Sequence, residues 1–246
     1  METEKKWFES WFDTRYYHLL YRNRDDSEAR MFIDRILDEI QFEQDAELLD
    51  LACGKGRHAI YLAEKGYTVT GFDLSPSNIE TANKDAHAKL RFEIRDMREN
   101  LGKESFDGIF NLFTGFGYFE SDEENFSVFN SIYEALKPGG LFIFDYLNEP
   151  YVRQLKTEKE TFEIEGIQFT THKEFSGRKV IKHISVKDGS QVYQYAEQVS
   201  MYGEKELAAV LKNLGFSIQK TYGDYTLNEY AEASARLIIT AKKVKG

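Results

Sequence analysis

The 246-residue chain holds one cysteine and three prolines, and no apolar run approaches the roughly 20 residues needed to span a bilayer. A single cysteine excludes a disulfide framework and any Cys-rich zinc or iron–sulfur site, and it suits a reducing compartment. The opening residues, METEKKWFESWF, lack the long apolar core of a signal peptide. Basic charge is short as well. With 32 Lys+Arg against 42 Asp+Glu the formal net charge is −10 and the pI near 5.1, which argues against binding a phosphate backbone as the main task. The expectation is a cytoplasmic protein with neither a membrane nor a nucleic-acid partner. Aromatic residues, in contrast, are plentiful: 19 Phe and 15 Tyr provide for a large core and leave polar tyrosine tips to line a site.

The chain has no internal repeat, low-complexity tract or Pro/Gly/Ser linker, but its pattern changes character twice. Residues 5–42 read as helices. One is rich in aromatics (Trp7, Phe8, Trp11, Phe12, Tyr16, Tyr17). The other has Met31, Phe32, Ile33, Ile36, Leu37 and Ile40 at helical spacing, and a polar break at Asn23–Ser27 separates the two. From Glu47 strands and helices alternate: Leu48–Leu51, a helix Arg57–Lys65 stopped by Gly66, Thr68–Phe72, a helix started by Ser75-Pro76, Leu90–Ile94, Phe106–Phe113, a helix bearing Phe126, Phe129 and Ile132, a turn Lys137–Gly140, and Leu141–Tyr146. Such alternation implies right-handed crossovers and a parallel sheet covered on both faces. After Pro150, period-two alternation over Phe162–Val199, with Gly166, Gly177 and Gly189 at turn spacing, predicts three or four antiparallel strands. A helix around Leu207–Leu214 and a closing strand pair, Phe216–Tyr222 and Arg236–Lys242, complete the chain.

The chemistry concentrates in LLDLACGKGRHA, residues 48–59. A strand running into Gly54-Lys55-Gly56 and then a helix brings a ligand against bare peptide groups at a helix N-terminus, and Gly54, Gly56 and Ala59 also fit the G-x-G-x-x-A dinucleotide pattern. Asp73 ends the second strand about 20 residues on, where a carboxylate accepts both ribose hydroxyls. Asp50 precedes the glycines, where it would repel a diphosphate and welcome a cationic amino-acid group. Asp96, ending the third strand, can accept from an adenine amino group. Three acids so placed suit S-adenosylmethionine better than NAD.

With DLACGKG at Asp50–Gly56, the strand-ending Asp73, Asp96-Met97, and LKPGGLFIFD at Leu136–Asp145, the sequence resembles a class I S-adenosylmethionine-dependent methyltransferase, of the small-molecule type with an antiparallel cap. Ala52 stands where many members have glycine. The resemblance implies an α/β fold, a doubly wound, mostly parallel, seven-stranded Rossmann-like sheet with an N-terminal helical lid and an inserted antiparallel β cap. The expected divisions are a lid at 1–44, a cofactor-binding core at 45–150, the cap at 151–202 and completion of the core at 203–246. It also implies that Ala52, Cys53, Gly54 and Gly56 pack against the methionine portion, that Asp73 holds ribose, and that Asp96, Leu74 and Met97 hold adenine. Asn111 and Phe113 would approach the sulfonium, and Tyr16, Tyr17 and His18 would close the lid. Arg57 is a further cofactor candidate, and Cys53 reads as a small packing residue rather than a nucleophile.

For the acceptor, a small molecule methylated on N or O, the candidates are Phe116 and Tyr118 after the fourth strand and Phe169, His172, Arg178, Tyr193 and Tyr195 of the cap, although alternation turns only every second strand residue inward. No His/Asp/Glu group has metal-ligand spacing, so no metal is expected, and His172 and His183 read as ordinary strand residues. No catalytic acid or base is assigned, and a monomer or homodimer is expected. Two other readings stay open at this level: an NAD-dependent oxidoreductase, and a non-catalytic module that keeps the cofactor pocket.

Overall fold

A computed structural model describes residues 7–22, 26–155 and 157–244. Met1–Lys6 and most of the expected break, Asn23–Asp25, lie outside the described residues. In chain order the elements are α1 (Trp7–Trp11), α2 (Arg15–Leu20), α3 (Asp26–Glu39), β1 (Glu47–Leu51), α4 (Arg57–Glu64), β2 (Thr68–Asp73), α5 (Pro76–Ala82), β3 (Leu90–Ile94), β4 (Phe106–Asn111), α6 (Asp122–Ala135), β5 (Leu136–Leu147), α7 (Glu149–Gln154), β6 (Glu160–Ile164), β7 (Ile167–Ser176), β8 (Lys179–Asp188), β9 (Gln191–Ser200), α8 (Glu204–Asn213), β10 (Phe216–Tyr222) and β11 (Arg236–Lys243).

Seven strands form one sheet in the order β10-β11-β5-β4-β1-β2-β3. The pairs from β5 to β3 are parallel, and β11 joins antiparallel to both β5 and β10. Central β1 is buried along nearly its whole length, as its Leu-rich run requires when helices cover both faces. The direction of winding reverses between β1 and β4. In such sheets the crevice for ligands opens there, beyond the carboxyl ends of the strands.

The second sheet, β6-β7-β8-β9, is antiparallel throughout, and Gly166, Gly177 and Gly189 at its hairpin turns all take positive φ. Its inner face presents Phe169, Ile184 and Val186, which are buried with Trp11 and Tyr16 of the N-terminal helices. Those helices are thus held by the cap: Trp11 Nε1 donates to Glu197 at 2.7 Å, and its ring lies 4.5 Å from that of Tyr195.

The structure departs from the sequence expectations in four places. The aromatic N-terminal helix is two short helices, because Thr14 accepts the Tyr17 amide at 3.1 Å and starts α2 afresh. β4 ends at Asn111 rather than Phe113, since Phe113 and Thr114 have φ of 54° and 64°. Lys137–Gly140 is a register-shifted part of β5 rather than a turn before it. Six-residue α7, too short to show a period, escaped the sequence reading.

Candidate functional site

Beyond β1 the backbone enters the left-handed region at Ala52 (φ 62°), Gly54 (57°) and Gly56 (86°). A β-carbon on Gly54 would project into open space, whereas one on Gly56 would meet the Phe92 ring at 2.6 Å. The two glycines therefore do different work: Gly54 leaves peptide groups bare toward a cavity, and Gly56 lets α4 pack on β3. Cys53 is buried beside them, and burial first, then the charges of Asp50 and Asp73, push its thiol well above the usual range, as fits a packing residue.

Asp50 is fully buried and accepts the Ala59 amide of α4 at 3.2 Å. Burial pushes its carboxyl up to about 7, against the opposing pull of the Ala59 amide and Arg57. The folded state therefore holds this proton more tightly than the unfolded chain does, and the stability contributed by Asp50 falls as pH rises from about 4 to about 7. Asp50→Asn, which keeps an acceptor for Ala59, is expected to gain about 2 kcal/mol relative to wild type between pH 5 and pH 8. Buried His58, pushed down to about 3 by burial and then by Arg57, contributes the opposite slope below about 6.5, but equally in both proteins. Denaturant unfolding at the two pH values checks this; an equal wild-type–variant difference at both would refute it.

The crevice at the carboxyl ends of β1, β2 and β4 is a cavity of about 590 Å³, within the range of small-molecule sites. At one side Asp73 accepts the Gly54 amide at 2.8 Å and the Ser75 amide at 2.9 Å, so the glycine loop and the start of α5 are tied to one carboxylate. Burial raises its carboxyl against the pull of those amides. Leu74 and Met97 form apolar walls, and Asp96 stands beside them, paired with Arg98 at 2.6 Å. Over the opening lie Phe8, Phe12, Asp13, Tyr17 and His18; Asp13 accepts the Ser75 hydroxyl at 2.7 Å and the Ser77 hydroxyl, pinning the α1–α2 corner onto α5. His58 reaches the wall with its ring 5.1 Å from Phe113 and its buried Nε2 without a hydrogen bond among the described residues, and the Arg57 guanidinium lies 4.2 Å from the Phe113 ring centre.

A second cavity of about 440 Å³ shares Phe12, Tyr17, Phe113, Thr114 and Tyr118 with the first, and is completed by Glu28, Glu197, Val199, Tyr225 and Arg236. The shared Phe113-Thr114 corner is held from behind by Asp145. Its side chain accepts the Phe113 amide at 2.7 Å, the Tyr225 hydroxyl at 3.1 Å and Arg236 Nε at 2.8 Å, while Arg236 also donates to Thr114 Oγ1 at 2.8 Å.

Of the residues expected from sequence, Tyr17, His18, Ala52, Cys53, Gly54, Arg57, Asp73, Leu74, Asp96, Met97, Phe113 and Tyr118 line the first cavity. The others do not. Asp50 and Gly56 lie behind the loop as described, and Asn111 turns its amide to Leu51 O at 2.9 Å. Phe116 is core, stacked on Phe129 at 4.7 Å. Tyr16 donates to Asp188 and faces Tyr193, and Tyr195 packs on Trp11. Arg178 sits at a hairpin turn and pairs with Glu206 and Asp122. His172 lies three residues beyond buried Phe169 on β7, an odd separation that puts the two on opposite faces, and His172 takes the outer one. Sequence reading missed Phe8, Phe12, Asp13, His58, Glu197 and Arg236. Only His58, adjacent to the glycine loop, carried a local signal.

Residues 48–140 match the family model described as a methyltransferase domain. YqeM of Bacillus subtilis, which bears the name of a methyltransferase, is 30% identical over 219 residues, covering 84% of this chain and 88% of that protein. A crystal structure of an S-adenosylmethionine-dependent methyltransferase from Clostridium acetobutylicum superposes with a TM-score of 0.80 at 22% identity, covering 94% of this chain and 96% of the other. CalS10, an amino pentose methyltransferase from Micromonospora echinaspora solved with S-adenosylmethionine bound, gives 0.70 at 22% identity, covering 94% and 98%.

Proposed function

The chain belongs to the S-adenosylmethionine-dependent methyltransferases, and from that premise we propose that it methylates an amine of a small molecule seated in the second cavity. The observation that carries this reading is the shared Phe113–Tyr118 wall between the two cavities, with two carboxylates, Glu28 and Glu197, on the far one. The charge of Arg236 there is matched by Asp145 at 2.7 Å. A cationic or N–H-bearing acceptor meets complementary charge and aromatic faces. The amino pentose substrate named for CalS10 is of the same kind.

The first cavity fits the cofactor. Gly54 leaves room where any side chain would intrude. Asp73 Oδ2, which accepts the Gly54 amide, keeps a lone pair for a ribose hydroxyl, while Oδ1 accepts the Ser75 amide and, at 3.4 Å, Asn78 Nδ2. We assign Leu74 and Met97 to the adenine faces, Asp96 with its partner Arg98 to the adenine edge, and Ala52–Gly54 with Arg57 and Phe113 to the amino-acid end. When bound, the cofactor supplies a methyl group already activated as a sulfonium. The protein's task is then to hold the acceptor nitrogen in line and keep water out. Phe12, Tyr17 and Tyr118 close both cavities, and Glu28 and Glu197 orient the N–H groups. No residue is assigned as a general base.

The test is production of S-adenosylhomocysteine from purified chain with a panel of small amines and, separately, alcohols. Turnover with amines supports the reading; turnover confined to alcohols overturns the acceptor class. Tight cofactor binding without turnover on any acceptor favours a non-catalytic module. With a working amine, Glu28→Gln and Glu197→Gln are each expected to lower kcat/KM about tenfold, equivalent to about 1.4 kcal/mol, mainly through KM. Cofactor affinity measured by calorimetry should stay unchanged in Glu28→Gln, whereas Glu197 also accepts Trp11 Nε1 and the Tyr21 hydroxyl of the helices over the cofactor cavity. The net charge of −10 favours a small solute over nucleic acid, and one reduced, buried thiol suits the cytoplasm. Among the described residues no helix is long and apolar enough to cross a membrane. We take the protein as a monomer or homodimer, which light scattering distinguishes.

A further inference from the structure

We propose that the outer face of the cap sheet carries a binding site for a divalent transition metal of the zinc, cobalt or nickel kind, formed by His172, Glu174 and His183. His172 and His183 are directly opposed in the β7–β8 register, and their rings stack 4.7 Å apart at 15°. Glu174, two residues beyond His172, shares its face of the strand. One donor atom from each of the three lies within 4.8 Å of the others. Ligands on one zinc ion at ~2.1 Å stand at most ~4.2 Å apart, so about an ångström of side-chain rotation closes the set.

The charge arrangement calls for a cation. His183 Nε2 is shielded from solvent, lies 3.0 Å from a Glu174 carboxylate oxygen, and makes no well-directed hydrogen bond among the described residues. With its proton on Nδ1, His183 turns an Nε2 lone pair toward that carboxylate, and a proton on Nε2 would not point along a hydrogen bond to it. A metal ion between them satisfies both imidazole lone pairs and the carboxylate. No lysine of β7 or β8 competes closely. Lys173 and Lys182 occupy positions facing the other side of the sheet, and Lys179 and Lys187 lie four residues along β8 from His183, ~13 Å at ~3.3 Å per residue. The cation nearest in register, Lys159, precedes β6 and is exposed.

Sequence spacing hid this group, because His172 and His183 are brought together only by the hairpin register. The site is separate from the two cavities, neither of which it lines. Its physical effect is to tie β7 to β8, whose opposite face packs on α1 and α2. Binding is pH-dependent, since the imidazoles must be neutral.

The experiment is titration of the full chain, without an affinity tag, with Co²⁺ followed by visible absorption, and with Zn²⁺ followed by calorimetry and Tm. The expected result is one saturable equivalent, a Zn²⁺-dependent rise in Tm, and displacement of Co²⁺ by Zn²⁺. His172→Ala and His183→Ala should each weaken binding at least tenfold, while His87→Ala, at an exposed histidine elsewhere, leaves it unchanged. Cofactor affinity should be the same in all variants. No saturable Co²⁺ spectrum in the wild-type chain overturns the proposal, whatever the variants do. Undiminished binding in a folded His172→Ala/His183→Ala double variant, with folding checked by circular dichroism, also overturns it.

Discussion

Asp73→Ala is expected to weaken S-adenosylmethionine binding about 100-fold, since a hydrogen bond to a charged acceptor amounts to as much as roughly 3 kcal/mol. The same carboxylate also holds the Gly54 and Ser75 amides at 2.8 and 2.9 Å. Its loss therefore loosens the glycine loop that forms the opposite wall, and stability should fall by about 2 kcal/mol as well. The two effects are separable: calorimetry well below the melting temperature reads affinity, and thermal unfolding without cofactor reads the structural part. Asp73→Asn keeps one acceptor oxygen and loses the charge, so an intermediate loss of about tenfold is expected. Binding by the alanine variant within threefold of wild type would sink the ribose assignment.

The largest stability effect should come from a residue 91 positions away from its partner in sequence. Asp145 is fully buried and is neutralised by Arg236. In Arg236→Met the carboxylate keeps only the Phe113 amide and the Tyr225 hydroxyl, and an uncompensated buried charge of this kind costs about 3–5 kcal/mol. For a chain of this length that lowers Tm by about 10 °C. The Phe113-Thr114 corner, held at positive φ that non-glycine residues adopt at a cost, loses its Thr114 contact too, so methyl transfer should fall even where the protein remains folded. Adding Asp145→Asn to Arg236→Met removes the stranded charge and should restore much of the stability without restoring turnover. Destabilisation below 1 kcal/mol in the single variant would show that the pair contributes little.

These two residues divide what the chain displays from what it conceals. Asp73 was visible because its place at the cavity follows from local geometry: a strand end, a glycine turn and a helix start lie within about 20 residues of one another, and each is set by backbone conformation and capping that neighbouring residues dictate. The order of strands and helices, a cap of three or four strands with its turn glycines and the Ser75-Pro76 helix start were legible for the same reason.

Asp50 and Asn111 sit in the same motifs, yet their side chains turn to Ala59 and Leu51 rather than to the cavity. Residue identity at a strand end does not fix which way the side chain leaves it. In the cap, alternation gave strands but not their phase; only packing of Phe169, Ile184 and Val186 on Trp11 and Tyr16 decides which side is inner, and it leaves His172 outside. By itself the sequence determined the fold class, the cofactor and the conformation of the glycine loop, because those rest on short-range backbone rules. The tertiary structure decided the second cavity: Phe12, Glu28, Glu197 and Arg236 come from four separate parts of the chain, and long-range burial and charge pairing alone bring them to one wall.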